Sequence, residues 1–300
     1  MVDGSDMEQR FRVLLVGMPC LLVALAAGLQ AQEPEQPPAP ATPPASATPA
    51  APSPEPGLKT IFRDFLHDER RLWTAPFRGG SYSKYAIGGI VTSGLLMTFD
   101  RRISDIAPNT TDQSRWAGRV SQMGASYTLF GAAAGTYLFG RITKNKKARE
   151  TGYLGMLALA HTQIITQVIK QSTNRERPGD SKAASNGGLG FWRGGVSFPS
   201  GHSSGAFALA TVFSYEYGPR HRWVPFVAYG LSSGVAVSRM AAQQHWSSDV
   251  FVGGILGFLV GRYVHHHHGT NYPDRFAGVQ RAIPQVGYSQ GVVSLSWQPN

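Results

Sequence analysis

One cysteine, Cys20, is all the thiol this 300-residue chain contains, and it lies inside an N-terminal apolar run. Once that run is removed, no disulfide can support the fold, even in an oxidising compartment. Charge is also scarce: Asp, Glu, Lys and Arg make up 15% of the residues, against roughly a quarter in ordinary soluble domains. Acidic groups are the scarcer sign, with 18 Asp and Glu against 28 Lys and Arg and a formal net charge of +10. The excess favours anionic partners. The sparseness suits a large core or membrane segments and speaks against a nucleic-acid binder. Strand-like alternation is missing until the last twenty residues. Apolar runs are present, but after the N-terminus their uncharged cores reach only about 12 to 20 residues, at or below the ~20 of a spanning helix.

The N-terminus reads as a secretory signal. Arg10 and Arg12 precede VLLVGMPCLLVALAAGL, and small residues close the segment, with a cut placed after Ala31. Proline before Cys20 fits a lipoprotein site poorly, and an uncleaved membrane anchor is the alternative. Residues 33–56 are a Pro/Ala run of the kind that forms an extended spacer. The expected organisation is a signal peptide at 1–31, a linker at 32–57, a helical domain at 58–270 and a tail at 271–300.

From residue 58 the pattern is helical. Residues 58–75 place Leu58, Ile61, Phe62, Phe65 and Leu66 on one stripe, with Asp68, Glu69, Arg70 and Arg71 as the solvated side. Six apolar segments follow near 83–99, 121–141, 152–170, 203–217, 223–239 and 248–264. They predict an all-α fold, an up-and-down bundle of about six core helices. Small residues at Gly131 to Gly135 and at Gly253, Gly254, Gly257 and Gly261 suit close helix approach. In the tail, AIPQVGY and VVSLSW flank Ser289-Gln290-Gly291 as a small β-hairpin. The basic loop 141–150 favours a cytoplasmic position, whereas a cleaved signal puts it outside. A soluble exported bundle removes that conflict and is the expectation; a membrane-embedded bundle is the alternative.

Three polar clusters stand at segment ends. KQSTNRERP carries Lys170 and Arg177, two helical turns apart if the helix continues, and Pro178 ends it. PSGH, residues 199–202, opens a helix, where Gly201 and its freed N–H groups form an anion cradle and Ser200 adds a hydroxyl. SRMAAQQHWSSD holds Arg239, His245 and Asp249. Singly, each has a bland reading: a solvated helix end, a turn, a structural histidine, a helix cap. In an up-and-down bundle, however, all four helix ends involved lie at one end of the molecule. There they gather three cations, two imidazoles and a carboxylate, the makings of a tetrahedral oxyanion site.

K-x6-RP, PSGH and SR-x5-H-x3-D together resemble the signature of the type 2 phosphatidic acid phosphatase superfamily. That superfamily takes in non-specific acid phosphatases, lipid phosphatases and vanadium haloperoxidases. Every signature position matches: Lys170, Arg177, Pro178, Pro199, Ser200, Gly201, His202, Ser238, Arg239, His245 and Asp249. The resemblance covers roughly residues 150–264. It implies a metal-independent phosphatase without cofactor, working through a phosphohistidine. His245 would be the nucleophile, Asp249 its orienting partner through a hydrogen bond to the ring, and His202 the general acid and base. Lys170, Arg177, Arg239, Ser200 and Gly201 would bind phosphate. Vanadate is expected as an inhibitor. The substrate is a phosphorylated small molecule or a lipid phosphate or diphosphate, with a membrane surface as a further partner and no nucleic acid; the oligomeric state is open. Two alternatives stand beside this reading: a haloperoxidase holding vanadate as its cofactor, and a non-enzymatic metal- or anion-binding module built on His265 to His268.

Overall fold

A computed structural model describes residues 58–106, 110–180, 189–269, 285–289 and 292–296. The expected signal peptide, the linker and residues 270–284 of the tail region lie outside the described residues. Among those described are eight α-helices: α1 Leu58–Thr74, α2 Ser81–Ile106, α3 Thr111–Gln122, α4 Ser126–Ile142, α5 Lys146–Thr173, α6 Gly201–Tyr217, α7 Trp223–Ala241 and α8 Ser247–His268. The fold is all-α, as expected. The small hairpin is also present, with β1 Gln285–Ser289 antiparallel to β2 Val292–Ser296 and Ser289 opposite Val292. The expected 121–141 segment is α4, which begins a few residues later than expected; ahead of it stands α3, which is polar enough to give no apolar signal and is started by Thr110, whose hydroxyl accepts from Gln113 N at 3.2 Å.

The centre of the bundle is α6. Its Phe207 and Ala210 pack with Tyr229 and Ala236 of α7 and with Val250, Phe251 and Phe258 of α8. On another side, Ala208 and Val212 meet Leu154, Ala158 and Ile165 of α5 and Val260 and Val264 of α8. On a third, Ala206 and Leu209 meet Leu129 and Ala133 of α4. A helix surrounded on every side needs no polar face, which is why its sequence shows no amphipathic stripe.

Small residues set how close the neighbours come. A Cβ on Gly253 would sit 2.6 Å from Ser200 O and one on Gly261 would sit 2.6 Å from Ala208 O, while one on Gly257 would overlap Ser204 O. The α6–α8 seam is therefore a backbone contact along its whole length, as the glycine spacing predicts. The other small-residue run behaves differently. Gly131 and Gly135 meet nothing within 4 Å, and the close approach of α4 to α5 is made by Gly152 of α5, whose Cβ would overlap Tyr137 N.

The polar side of α1 is solvated only in part: Arg70 and Arg71 are exposed as expected, whereas the two carboxylates turn inward. Asp68 is buried; it accepts from Tyr263 Oη at 2.8 Å and bonds His268 Nε2 at 2.6 Å. Glu69 bonds His161 Nδ1 at 2.7 Å, and Phe65 stacks on the same imidazole. Leu66, placed on the apolar stripe by periodicity, is exposed. Carboxylates that find histidine and tyrosine partners lose the cost that normally keeps them in water, so partner chemistry overrides the stripe. The same pairs absorb part of the histidine tract: His268 goes to Asp68, and His265 Nε2 lies 3.2 Å from Glu216.

The flanks of the bundle are apolar. Ile87, Ile90, Val91 and Leu95 on α2, Leu138, Phe139 and Ile142 on α4, and Trp223, Phe226, Val227 and Leu231 on α7 are all exposed. That is more contiguous apolar surface than a free-standing soluble bundle usually shows. Among the described residues one helix, α8, is long and apolar enough to cross a membrane, though most of it is buried in the bundle.

Gly257→Ala is expected to cost roughly 1–3 kcal/mol by forcing the seam apart. Gly131→Ala, at an exposed helical site with room for a methyl, should gain up to about 1 kcal/mol. Thermal unfolding midpoints of the two variants check the contrast.

Candidate active site

The ends of α5 and α7 and the starts of α6 and α8 meet at one end of the bundle. Ser200, just before α6, donates its N–H to Asp249 O of α8 at 3.0 Å. Lys170, near the end of α5, reaches the same segment, donating to Pro199 O at 3.0 Å and to Val196 O at 2.7 Å. Arg239 lies in the last turn of α7. Arg177 is not on the face of a continued helix: α5 stops at Thr173, Asn174 turns left-handed at φ 41°, and Arg177 arrives from the loop beyond. Its Nη1 donates to Gln244 Oε1 at 2.7 Å.

The three cations share one property. Lys170 is tethered by backbone carbonyls, Arg177 by an amide oxygen, and Arg239 by Ser121 Oγ of α3 at 2.6 Å. Every one of these acceptors is neutral. The tethers fix position without cancelling charge, and the buried Nε atoms of Arg177 and Arg239 have no protein hydrogen-bond partner. Buried donors in that condition are rare and suit an oxyanion with several acceptor oxygens.

His245, in the connection between α7 and α8, is buried. Its Nδ1 lies 2.6 Å from Ser197 O. A carbonyl can only accept, so Nδ1 carries the proton and the lone pair stands on Nε2. The expected hydrogen bond from this ring to Asp249 is absent; Nδ1 is 3.8 Å from Asp249 Oδ2. The carboxylate is already occupied: Oδ2 accepts from Ser197 Oγ and from Trp246 N at 2.9 Å, and Oδ1 takes Arg175 Nη1 at 2.5 Å. Asp249 thus caps the start of α8 and orients the histidine at one remove, through Ser197. Ser200 is likewise a cap, accepting from Ser203 N at 3.4 Å and from Ser203 Oγ at 3.1 Å. A Cβ at Gly201 would meet nothing nearer than Thr166 Cγ2 at 3.6 Å. The protein's own packing therefore does not demand glycine there.

The PAP2 superfamily model matches residues 151–273, the stretch that supplies nearly all of these side chains. Among curated proteins the chain is 46% identical over 65 residues to a lipid A 1-phosphatase of Porphyromonas gingivalis, covering 22% of this chain and 15% of that one. It is 30% identical over 142 residues to a PA-phosphatase related-family protein of Dictyostelium discoideum, covering 42% and 52%. The chain spans about half or less of the length of these relatives. Two crystal structures are similar in fold. One is a transmembrane PAP2 type phosphatidylglycerolphosphate phosphatase of Bacillus subtilis, with 20% identity, 64% and 95% of the chains and TM-score 0.48. The other is LpxE of Aquifex aeolicus, with 22% identity, 56% and 93%, and TM-score 0.43.

Electrostatics at this end of the bundle follow from burial and from crowding. Burial first, then the charges of Arg239, His245, Lys170 and Arg177, pull His202 down to about 4. Burial also lowers His245 to about 4, with Asp249 opposing and Lys170 and Arg239 adding to the fall. Lys170 drops to about 8, mainly by burial, and Arg239 to about 10, by burial and by Arg177. Burial pushes Asp249 upward, but His245, Arg175 and Ser197 together hold it below the usual carboxylate range.

Four residues in contact with the signature positions escaped the sequence reading, Ser121, Arg175, Ser197 and Gln244, and a fifth, Asp100, lies one contact further out, bonded to Arg175, Ser247 and Ser248. Arg175 lies inside the KQSTNRERP stretch and was visible as an unexplained charge. Asp100 closes the apolar 83–99 segment. Ser197 acts through its carbonyl as much as its hydroxyl, and no residue type announces that.

Because both imidazoles are shifted downward, each stays neutral at pH 7 in the free protein and protonates only as the pH falls toward about 4. Histidine NMR titration checks this; a midpoint for either ring at or above the ordinary 6.5 would contradict it.

Proposed function

We propose that this chain is a metal-independent, membrane-associated phosphatase that hydrolyses phosphate monoesters or lipid phosphates through a phosphohistidine. The observation that carries this reading is the set of cations held by neutral acceptors beside an imidazole whose Nε2 lone pair is fixed by a backbone carbonyl. In the proposed first step, the His245 Nε2 lone pair attacks phosphorus and the P–O bond to the leaving alcohol breaks. The alcohol oxygen leaves with that electron pair and takes a proton from His202. In the second step His202 removes a proton from water, whose oxygen attacks phosphorus and returns the bonding pair to His245. Lys170, Arg177, Arg239 and the Gly201 N–H hold the three remaining oxygens throughout.

The low value of His202 fits this order of events. In the free site burial, and then the surrounding cations, hold it neutral; a phosphate dianion offsets the cations and favours its protonation, so the acid is armed by substrate. Membrane association rests on the apolar flanks of α2, α4 and α7, and the named activity of the relatives on lipid phosphates agrees with it. Export of the chain rests on residues 1–31 alone.

With an aryl phosphate as substrate, His245→Ala is expected to abolish turnover, and His202→Ala to lower kcat by roughly 10²–10⁴-fold, with unfolding midpoints close to that of the unsubstituted protein. Most of the activity surviving in the His245 variant would refute the nucleophile. Lys170→Ala should raise the vanadate inhibition constant about tenfold or more, since vanadate imitates the five-coordinate phosphorus. Gly201→Ala should weaken phosphate binding while leaving stability near that of the parent, a split measurable by product inhibition and thermal unfolding.

A further inference from the structure

Two of the buried charges that the proposed steps leave unused stand beside Asp249 and Ser248. Arg175 and Asp100 are both fully buried, and neither belongs to the signature. Asp100, on α2, is saturated: Oδ1 accepts from Ser247 Oγ at 2.5 Å and Ser248 N at 2.9 Å, and Oδ2 from Ser248 Oγ at 2.5 Å and Arg175 Nη2 at 2.7 Å. Arg175 turns its other terminal nitrogen to Ser248 Oγ at 2.7 Å and to Asp249 Oδ1 at 2.5 Å. Its guanidinium lies over the rings of Phe191 and Trp246, with 4.9 and 5.6 Å to the centroids. The backbone of the same residue does a second job: Arg175 O accepts from Ser197 N at 2.9 Å. Ser197 in turn donates its hydroxyl to Asp249 and offers its carbonyl to His245 Nδ1.

We propose that Asp100 and Arg175 are positioning residues for His245. They form a strut from α2 that reaches the imidazole by two routes, the guanidinium through Asp249 and the carbonyl through Ser197. Charge compensation alone would need only one carboxylate beside Arg175. Here two carboxylates share one guanidinium, a set with net charge −1 that is completed by one positive charge on the imidazole. That is the charge the ring gains when it bonds phosphorus through Nε2 and keeps its Nδ1 proton. The strut therefore favours the tautomer and the charge state that the reaction requires. Its catalytic meaning rests on the phosphohistidine reading; its geometric meaning does not.

The full-length chain is compared with Asp100→Asn, Arg175→Lys, Asp249→Asn and the Asp100→Asn/Asp249→Asn pair. Asp100→Asn and Arg175→Lys should each lower kcat on an aryl phosphate roughly 10- to 100-fold, the loss expected when one hydrogen bond to a buried charge is broken. KM and the vanadate inhibition constant should stay within about threefold, because the cation tethers are untouched. The double variant should be within about threefold of Asp249→Asn alone, since both changes act on one ring. Should Asp100→Asn or Arg175→Lys fail to fold, Ser248→Ala removes only the hydroxyl that they share and should show the same kcat-against-KM split at smaller size. A wild-type enzyme that requires His245, yet keeps kcat within about twofold in these variants, or shows multiplicative losses in the pair, overturns the strut. The Nδ1–H resonance of His245 gives a readout without turnover. It should be present in the wild-type chain and displaced or lost in Asp100→Asn; an unmoved resonance overturns the proposal. If the wild-type chain hydrolyses nothing, the phosphatase reading falls and this resonance still decides the strut.

Discussion

Like charges repel, and this chain crowds three cations at one end of a bundle that has few charges to spare. The crowding is tolerated because each cation is fixed by dipoles rather than by carboxylates. Carbonyls hold Lys170, an amide holds Arg177 and a hydroxyl holds Arg239. Such partners supply direction with little neutralisation, so the positive field survives in a low-dielectric surrounding, where it is strongest. Both imidazoles are depressed first by burial and then by that field. Carboxylates are not lacking nearby. Asp100 and Asp249 are fully buried a short distance away, but both are committed to Arg175. The division of labour is between arginines that keep their charge available and one that spends it inside.

The backbone provides the frame for this arrangement. Because α6 and α8 touch along a glycine seam, the start of one helix is registered against the start of the next. Ser200 N bonds Asp249 O directly across that junction. The first turn of α6 and the first turn of α8 are thereby held in register. On the far side, α3 holds Arg239 through Ser121, and α2 reaches Asp249 at one remove through Asp100 and Arg175.

Much of this was legible in the residues. Spacing alone placed Lys170, His202, Arg239, His245 and Asp249 at helix ends, and the alternation of helix directions placed those ends together. Glycine periodicity identified the seam, and the tail's alternation gave the hairpin. What stayed hidden has a common cause. The direct partner of His245 is a carbonyl, and every residue owns one. The break at Asn174 depends on a backbone angle that asparagine tolerates but does not announce. The inward turn of Asp68 and Glu69 depends on partners some ninety to two hundred residues away in sequence, beyond the reach of any local pattern. Periodicity reports which face is apolar. It is silent on which polar group has found company.

The seam has a further consequence for how the chain tolerates change. Where main chain meets main chain, at Gly253, Gly257 and Gly261, no side chain stands between the helices to give way, so an added methyl there pushes α8 away from α6. Tilting α8 about α6 would carry Asp249 away from Ser200 while leaving every cation and both imidazoles chemically intact. Inactive variants of this molecule are therefore to be sought among glycines several turns below the site, where a survey confined to polar residues would overlook them.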